Sequence, residues 1–124
     1  MDERFRVLVI DDDESTRTTF AAILEDEGYN VDTAENGKEA IEKSNASTYR
    51  VALIDFRLPD MNGTELLNAL RETIPKTAKI IVTGYPTLEN AIDSVNKHAD
   101  AYFTKPVDYE KLLNTIRHLI QKRK

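Results

Sequence analysis

Short apolar runs and helix-like segments alternate five times along this chain, and this alternation is what most restricts its fold. Each apolar run has about four to six residues and is rich in large or β-branched side chains, as is typical of buried strands. Because each strand–helix unit has only about 25 residues, the loops between the elements must be short. Parallel strands joined by right-handed helical crossovers fit this pattern.

The predicted elements follow one another without a linker or a second domain. Strands are predicted over residues 5–10, 29–33, 51–54, 80–82 and 101–103, and helices over 16–27, 37–46, 64–74, 87–96 and 108–121. We therefore expect one α/β domain over residues 1–124, with a five-stranded parallel sheet in the order 2-1-3-4-5 and helices on both faces, a flavodoxin-like doubly wound fold.

Individual residues are expected to begin, end and orient the helices. Gly28 is expected to end the first helix, Thr64 to cap the third and Asp108 to cap the fifth, while Pro75 ends the third. The helical spacing of the fourth helix predicts an inward apolar face, made up of Leu88, Ala91, Ile92 and Val95.

Composition excludes several classes of function. The chain has no cysteine, which excludes disulfides, zinc–thiolate sites and thiol nucleophiles. Its 22 acidic and 17 basic residues give a net charge of -5, which argues against direct nucleic-acid binding. The apolar runs are far shorter than the ~20 residues that span a bilayer, and no signal peptide is visible. We expect a cytoplasmic protein that does not insert into membranes.

Charged and hydroxyl side chains follow the predicted strands, where an open parallel sheet binds its ligands. Asp11 and Asp12 follow the first strand, and Asp55 follows the third, its neighbour in the predicted order. Three such carboxylates repel one another, and a hard cation such as Mg²⁺ relieves that repulsion. Together with Lys105 after the fifth strand and Thr83 after the fourth, these carboxylates form a set of side chains suited to a site for a phosphoryl group. Taken singly, Lys105 also fits an ordinary surface lysine and Thr83 a plain strand-end residue.

Four motifs carry a resemblance to a known family. They are Val7–Asp13, Leu53–Gly63, Ile81–Gly84 and Tyr102–Pro106. Together they resemble the receiver domain of two-component response regulators, in order and at that family's spacing over essentially the whole chain. The resemblance implies a signalling switch that accepts a phosphoryl group from a sensor histidine kinase or a phosphotransfer protein. The resemblance implies that such a switch is not an enzyme with a separate substrate, although it catalyses its own phosphorylation and dephosphorylation.

The resemblance also implies a metal site. Asp55 corresponds to the phosphoacceptor, and Asp12 corresponds to a direct ligand of Mg²⁺, for which Mn²⁺ can substitute. Asp11 corresponds to the residue that holds the metal through water. The backbone carbonyl of Arg57 completes the protein ligands, so the Arg57 side chain is not one of them.

Further implied roles concern the response to phosphorylation. Lys105 corresponds to the lysine that pairs with a phosphoryl oxygen. The peptide bond between Lys105 and Pro106 corresponds to one that is cis in this family. Thr83 and Tyr102 correspond to the switch residues, which remodel the face formed by the fourth helix, fifth strand and fifth helix. A downstream output domain or partner protein reads that face.

Three positions within or near these motifs are distinctive. His98 stands where receivers commonly have glycine, and this residue could strain a left-handed helix cap. Arg57 and Tyr85 lie two residues after the phosphoacceptor and the switch threonine. Their bulk is expected to exclude the hydrolytic water and slow dephosphorylation.

Other function classes stay open at this point. Asp11 and Asp13 also fit the start of a haloacid-dehalogenase-type phosphatase, as nucleophile and acid/base, although no later strand end supplies that family's acidic pair. Alone, Asp13 is expected only to cap the first helix. A receiver-like binding module that is not phosphorylated is a further alternative. A flavodoxin-type electron carrier is disfavoured because the acidic cluster repels the FMN phosphate.

Overall fold

Five strands and five helices alternate in the computed structural model, which describes residues 5–73, 76–84, 87–96 and 99–122. The strands are β1 (Arg6–Ile10), β2 (Asn30–Ala34), β3 (Val51–Asp55), β4 (Ala78–Thr83) and β5 (Ala101–Thr104). The helices are α1 (Glu14–Asp26), α2 (Gly37–Ala46), α3 (Gly63–Thr73), α4 (Leu88–Asn96) and α5 (Tyr109–Lys122). The predicted order of elements is confirmed, while Pro75, Tyr85 and His98 lie outside the described residues.

The five strands form one parallel sheet in the order β2-β1-β3-β4-β5, as predicted. Asp55 at the end of β3 is in register with Val82, and Thr83 at the end of β4 is in register with Thr104. The polar residues that follow the apolar runs therefore meet at one edge of the sheet. None of the helices in the described part of the chain has the length and apolar content needed to cross a bilayer.

Hydrophobic side chains cover both faces of the sheet. On one face, Val7 and Val9 of β1 pack in a cluster with Phe20 of α1 and Ile116 of α5. On the other, Leu8 and Ile10 pack in a cluster with α3 side chains such as Leu66. This arrangement follows from the alternation of side chains along a strand, and it explains why β3 is buried at every position.

The helix ends are fixed by capping residues, one of which differs from the prediction. Asp108 caps α5 as expected, and Gly28 ends α1 with a φ of 96° that favours glycine. Thr64 was expected to cap α3, but that prediction is wrong. The Asn62 side chain accepts from the amide of Glu65 at 2.9 Å, and the Glu65 carboxylate accepts from the Asn62 amide at 3.2 Å. This reciprocal capping box moves the start of the helix to Gly63.

The prediction for the inward face of α4 is also wrong. Leu88, Ile92 and Val95 are 77%, 51% and 70% exposed, whereas Ser94 is fully buried and Ala91 partly buried. Residues at positions i, i+4 and i+7 share one helix face, but their spacing does not say whether that face meets the sheet or solvent. Here the small residues pack inward and the large apolar residues point outward.

Candidate functional site

Three carboxylates meet where β1 and β3 end. Asp55 is the last residue of β3, and Asp11 and Asp12 directly follow β1. Each of the three residues offers one carboxylate oxygen within 4.8 Å of those of the other two, with Asp11 and Asp55 buried and Asp12 exposed. The predicted acidic cluster is therefore assembled, and its donors are the hard oxygen ligands that Mg²⁺ and Ca²⁺ prefer.

Lys105 reaches this cluster from the end of β5. Its Nζ donates to Asp11 Oδ2 at 2.8 Å and lies 3.8 Å from Asp55 Oδ2. Its backbone amide donates to the Thr83 carbonyl at 2.8 Å, and the expected cis bond to Pro106 is present. Partial burial acts to lower the pKa of Lys105, but the hydrogen bond to Asp11 and the charges of Asp55, Asp11 and Asp12 outweigh it and raise that pKa.

Burial and crowding change the acidity of Asp55. Burial of the carboxyl and then the negative charge of Asp11 raise the pKa of Asp55 to about 6, against the opposing effects of Lys105 and the Arg57 amide. A carboxylate with such a pKa is mostly ionised at neutral pH, yet it is held among other negative charges. A cation bound beside it would relieve that repulsion.

The loop after β3 folds back beside the cluster. The Arg57 amide faces Asp55 Oδ1 at 3.4 Å, and the exposed Arg57 side chain lines the same cleft. The loop closes through a β-bridge between Arg57 and Asn62, and Gly63 donates its amide to the Phe56 carbonyl. A Cβ at Gly63 would lie 2.8 Å from Phe56 Cα, so this close approach needs glycine. The sequence showed a turn here but not this contact.

The cluster opens into a cleft of about 540 Å³. Its described lining residues are Asp11, Asp12, Asp13, Thr16, Asp55, Arg57, Gly84 and Lys105. Five predicted site residues thus share one cleft. Asp13 caps α1, as was predicted when this residue was considered by itself. Its carboxylate accepts from the Thr16 amide at 2.8 Å.

The two predicted switch residues are not among the described lining residues of the cleft. Thr83 is fully buried at the end of β4. Tyr102 lies on β5, and its buried hydroxyl has no hydrogen-bond partner among the described residues. Burial raises the pKa of Tyr102. The structure thus places both residues in the strands next to the site.

One cation beside the cluster was missed by sequence reasoning. Arg17 of α1 donates from its guanidinium to the Asp11 carbonyl at 2.7 Å, and it lies 4.0 Å from the Glu35 carboxylate. It therefore holds the backbone of the acidic segment after β1. An arginine near the start of a predicted helix carries no sequence signal of such a contact.

Residues 7–117, which include the whole site, match the sequence profile of the response regulator receiver domain. The chain belongs to the response regulator receiver domain family. Receiver domains are phosphoacceptor signalling domains of two-component systems, so the phosphatase alternative based on Asp11 and Asp13 is not supported. The capping role of Asp13 agrees with this outcome.

Known receiver proteins are similar to this chain in sequence and structure. A CheY-like receiver domain protein from Methanospirillum hungatei JF-1 has a TM-score of 0.94 and 40% identity, covering 98% of this chain and 97% of that chain. A Burkholderia pseudomallei response regulator was solved with a phosphorylated aspartic acid, calcium ion and citrate. It has a TM-score of 0.87 and 30% identity, covering 95% of this chain and 69% of that chain. The cell cycle response regulator CtrA of Brucella ovis is 34% identical over 119 residues, or 96% of this chain. This receiver spans about half the length of CtrA, 51%.

Proposed function

We propose that this receiver accepts a phosphoryl group on Asp55 from a sensor histidine kinase or a phosphotransfer protein, and so switches an output domain or partner protein. The observation that carries the proposal is that the Asp55 carboxylate lies beside the carboxylates of Asp11 and Asp12 and 3.8 Å from the Lys105 ammonium. A nucleophile, a fixed cation and a set of metal ligands are what phosphoryl transfer requires.

Asp55 acts as the nucleophile in this proposal. One of its carboxylate oxygens forms a bond to phosphorus while the bond from phosphorus to the donor's imidazole nitrogen breaks, and the electron pair of that bond stays on the imidazole. The product is an aspartyl phosphate. Because the pKa of Asp55 is about 6, the carboxylate is available for this attack at neutral pH without a general base.

The acidic cluster fits a divalent cation. Asp12, Asp55 and the Arg57 carbonyl would hold Mg²⁺ (or Mn²⁺), and Asp11 would do so through water. Support comes from three carboxylates that each offer one oxygen within 4.8 Å of the others, a set whose mutual repulsion one small divalent cation can relieve. When bound, the cation would offset the negative charge of the incoming phosphoryl oxygens.

Lys105 offsets part of the negative charge of the same cluster. Its ammonium is bonded to Asp11 and lies 3.8 Å from Asp55, so a small movement of the flexible side chain would bring it to a phosphoryl oxygen. Thr83 and Tyr102 then respond, with the Thr83 hydroxyl bonding the phosphoryl group and the Tyr102 ring turning inward. Their positions on the neighbouring strands β4 and β5 support this pairing.

The signal would leave the domain through the face formed by α4, β5 and α5. The exposed apolar residues Leu88, Ile92 and Val95 of α4 support this proposal, because they offer a partner contact area that the sheet does not use. We propose that the protein works in the cytoplasm, that it binds no nucleic acid through this domain, and that residues 1–124 form one receiver unit.

Phosphorylation with a small donor tests the proposal. Acetyl phosphate with Mg²⁺ should label the wild-type protein at Asp55, as read by borohydride trapping and peptide mass spectrometry, and Asp55→Asn should abolish the label. Asp13→Asn is the matched control, because it removes a carboxylate of the same cleft whose described hydrogen bonds go to Thr16 in the first turn of α1. A label on Asp11, or undiminished labelling of Asp55→Asn, would overturn the assignment.

A further inference from the structure

Asp60 connects the loop after β3 to the beginning of α2. Its carboxylate accepts from the Gly37 amide at 2.8 Å and from the Lys38 amide at 2.9 Å. These two partners lie 23 and 22 residues away along the chain. The hydrogen bonds from the Gly37 and Lys38 amides lower the pKa of Asp60, so the carboxylate stays charged over a wide pH range.

Met61 makes a second contact between the same two segments. A Cβ on Gly37 would lie 2.6 Å from Met61 Cγ and 2.7 Å from Met61 Cε, so the methionine side chain fills the space that glycine leaves. Gly37 is itself buried. The loop therefore docks on α2 through a bidentate carboxylate and an adjacent apolar contact.

The other end of this loop forms part of the proposed metal site. Arg57 pairs with Asn62 in a β-bridge, and the Leu58 amide donates to the Met61 carbonyl at 3.2 Å. Because the loop is closed by these bonds, fixing its tip at Asp60 also fixes the main chain at Arg57. The Arg57 amide faces Asp55 Oδ1 at 3.4 Å, so this main chain adjoins the acidic cluster.

We infer that Asp60 is a positioning residue for the cation site, which holds the Arg57 carbonyl in place by docking the loop on α2. This inference rests on the proposed function, since the Arg57 carbonyl is a ligand only if the site binds a cation. Residues that orient metal ligands without touching the metal commonly change metal affinity by about 10- to 100-fold when mutated.

Asn36 provides a matched control on the same helix end. Its side chain accepts from the Glu39 amide at 2.8 Å, so it also caps the first turn of α2, but it makes no bond to the loop after β3 among those described. A variant at Asn36 therefore weakens the helix end without releasing the loop. Any effect that Asp60 variants share with Asn36→Ala comes from the helix alone.

Calorimetric titration with MgCl₂ tests the inference on the full chain. Asp60→Ala should weaken Mg²⁺ binding by about ten-fold. Asp60→Asn, which keeps one oxygen acceptor, should weaken it less, and Asn36→Ala should leave it within about two-fold of wild type. In metal-free protein, amide hydrogen exchange at residues 57–62 should be faster in Asp60→Ala than in Asn36→Ala.

Two results would overturn the inference. One is wild-type Mg²⁺ affinity in Asp60→Ala, and the other is an equal loss of affinity in Asp60→Ala and Asn36→Ala. The proposed function fails in a different way, since Asp12→Ala would then bind Mg²⁺ as well as wild type does. The two failures are therefore distinguishable in the same titration series.

Discussion

Lys105 donates to Asp11 at 2.8 Å, a full ångström closer than it comes to Asp55 at 3.8 Å. The ammonium thus neutralises the buried carboxylate nearest to it and leaves Asp55 with less compensation. This pairing explains why the pKa of Asp55 stays raised even with a lysine in the same site. The same pairing links metal binding, pH and phosphorylation, because all three change the charge around Asp55.

Replacing Lys105 should tighten cation binding. Lys105→Met removes the positive charge that competes with a cation for Asp11 and Asp55, so Mg²⁺ should bind a few-fold to about ten-fold more tightly than in wild type. Metal-free stability should fall, because three carboxylates then lack their cation. Titration calorimetry measures the first effect and urea unfolding in EDTA the second. Lys111→Met, at an exposed position on α5, should change neither, and weaker Mg²⁺ binding in Lys105→Met would contradict the prediction.

Removing a proposed metal ligand should remove the stabilisation by metal. Mg²⁺ should raise the melting temperature of wild type by mass action, and Asp12→Ala should lose most of that rise. Differential scanning calorimetry at several MgCl₂ concentrations measures it. Asp13→Ala, which removes the neighbouring α1 cap, should melt lower but keep the Mg²⁺-dependent rise. Equal rises in wild type and Asp12→Ala would show that Asp12 is not a ligand.

The pKa of Asp55 predicts a pH-dependent stability difference in metal-free protein. Its folded value of about 6 lies above the ordinary 3.8, so the folded state binds this proton more tightly than the unfolded state. The contribution of Asp55 to the free energy of unfolding is therefore greatest below about pH 4 and is lost as the pH rises through about 6. In EDTA, Asp55→Asn should be more stable than wild type by about 1–3 kcal/mol at pH 7 to 8, with the difference vanishing near pH 4.

Urea unfolding of both proteins across that pH range measures this difference. The comparison isolates Asp55 because Asp13 and Asp60, whose pKa values are lowered by hydrogen bonds, are present in both proteins. Saturating Mg²⁺ should reverse the order at neutral pH, since only wild type keeps the full ligand set. Parallel pH curves for the two proteins in EDTA would contradict the raised pKa.

Thr83→Ala should separate phosphorylation from the response. The hydroxyl removed is proposed to bond the phosphoryl group, so Asp55 should still be modified by beryllofluoride while the population of the active state no longer shifts. Backbone NMR shifts along α4 measure the response. Thr104→Ala is a matched control, because Thr104 lies on β5 in register with Thr83 of β4, but is exposed rather than buried. A full α4 response in Thr83→Ala would remove the coupling role of Thr83.

Arg57 should slow the loss of the phosphoryl group. Its exposed side chain lines the cleft, where its bulk would limit access of water in line with the aspartyl phosphate. We expect Arg57→Asn to release phosphate faster, by up to about ten-fold, and on the sequence argument alone Tyr85→Ala to do the same. Phosphate release after acetyl phosphate treatment measures both variants. Arg71→Asn, on exposed α3 surface, serves as the control, and identical rates in all of these proteins would contradict the prediction.

The strand ends were predictable from sequence because apolar runs stop abruptly where the sheet stops. Asp55 follows four apolar residues, and parallel pairing then brings it beside Asp11 whatever the details of the helices. The capping role of Asp13 was predictable for the same reason, since it depends on a neighbour three residues away. Contacts of this kind are local or are fixed by the sheet.

What sequence could not provide is the set of contacts between distant segments. The outward direction of Leu88 depends on how α4 sits against the sheet, not on its spacing within the helix. The bonds from Arg17 to the Asp11 carbonyl and from Asp60 to α2 join a polar side chain to the backbone of another segment, and a polar side chain has many possible partners of this kind in any sequence. The capping box of Asn62 was missed because Thr64 supplied a competing local signal.

The close approach at Gly63 limits the distance between α3 and the end of β3. A Cβ there would meet Phe56 Cα at 2.8 Å and the Asp55 carbonyl oxygen at 3.3 Å, both of them main-chain atoms that cannot rotate aside. The absence of a single methyl group therefore sets how near the first turn of α3 comes to the strand that ends at Asp55. Any side chain at residue 63 would push that helix and that strand apart, and it would do so directly at the carbonyl of Asp55.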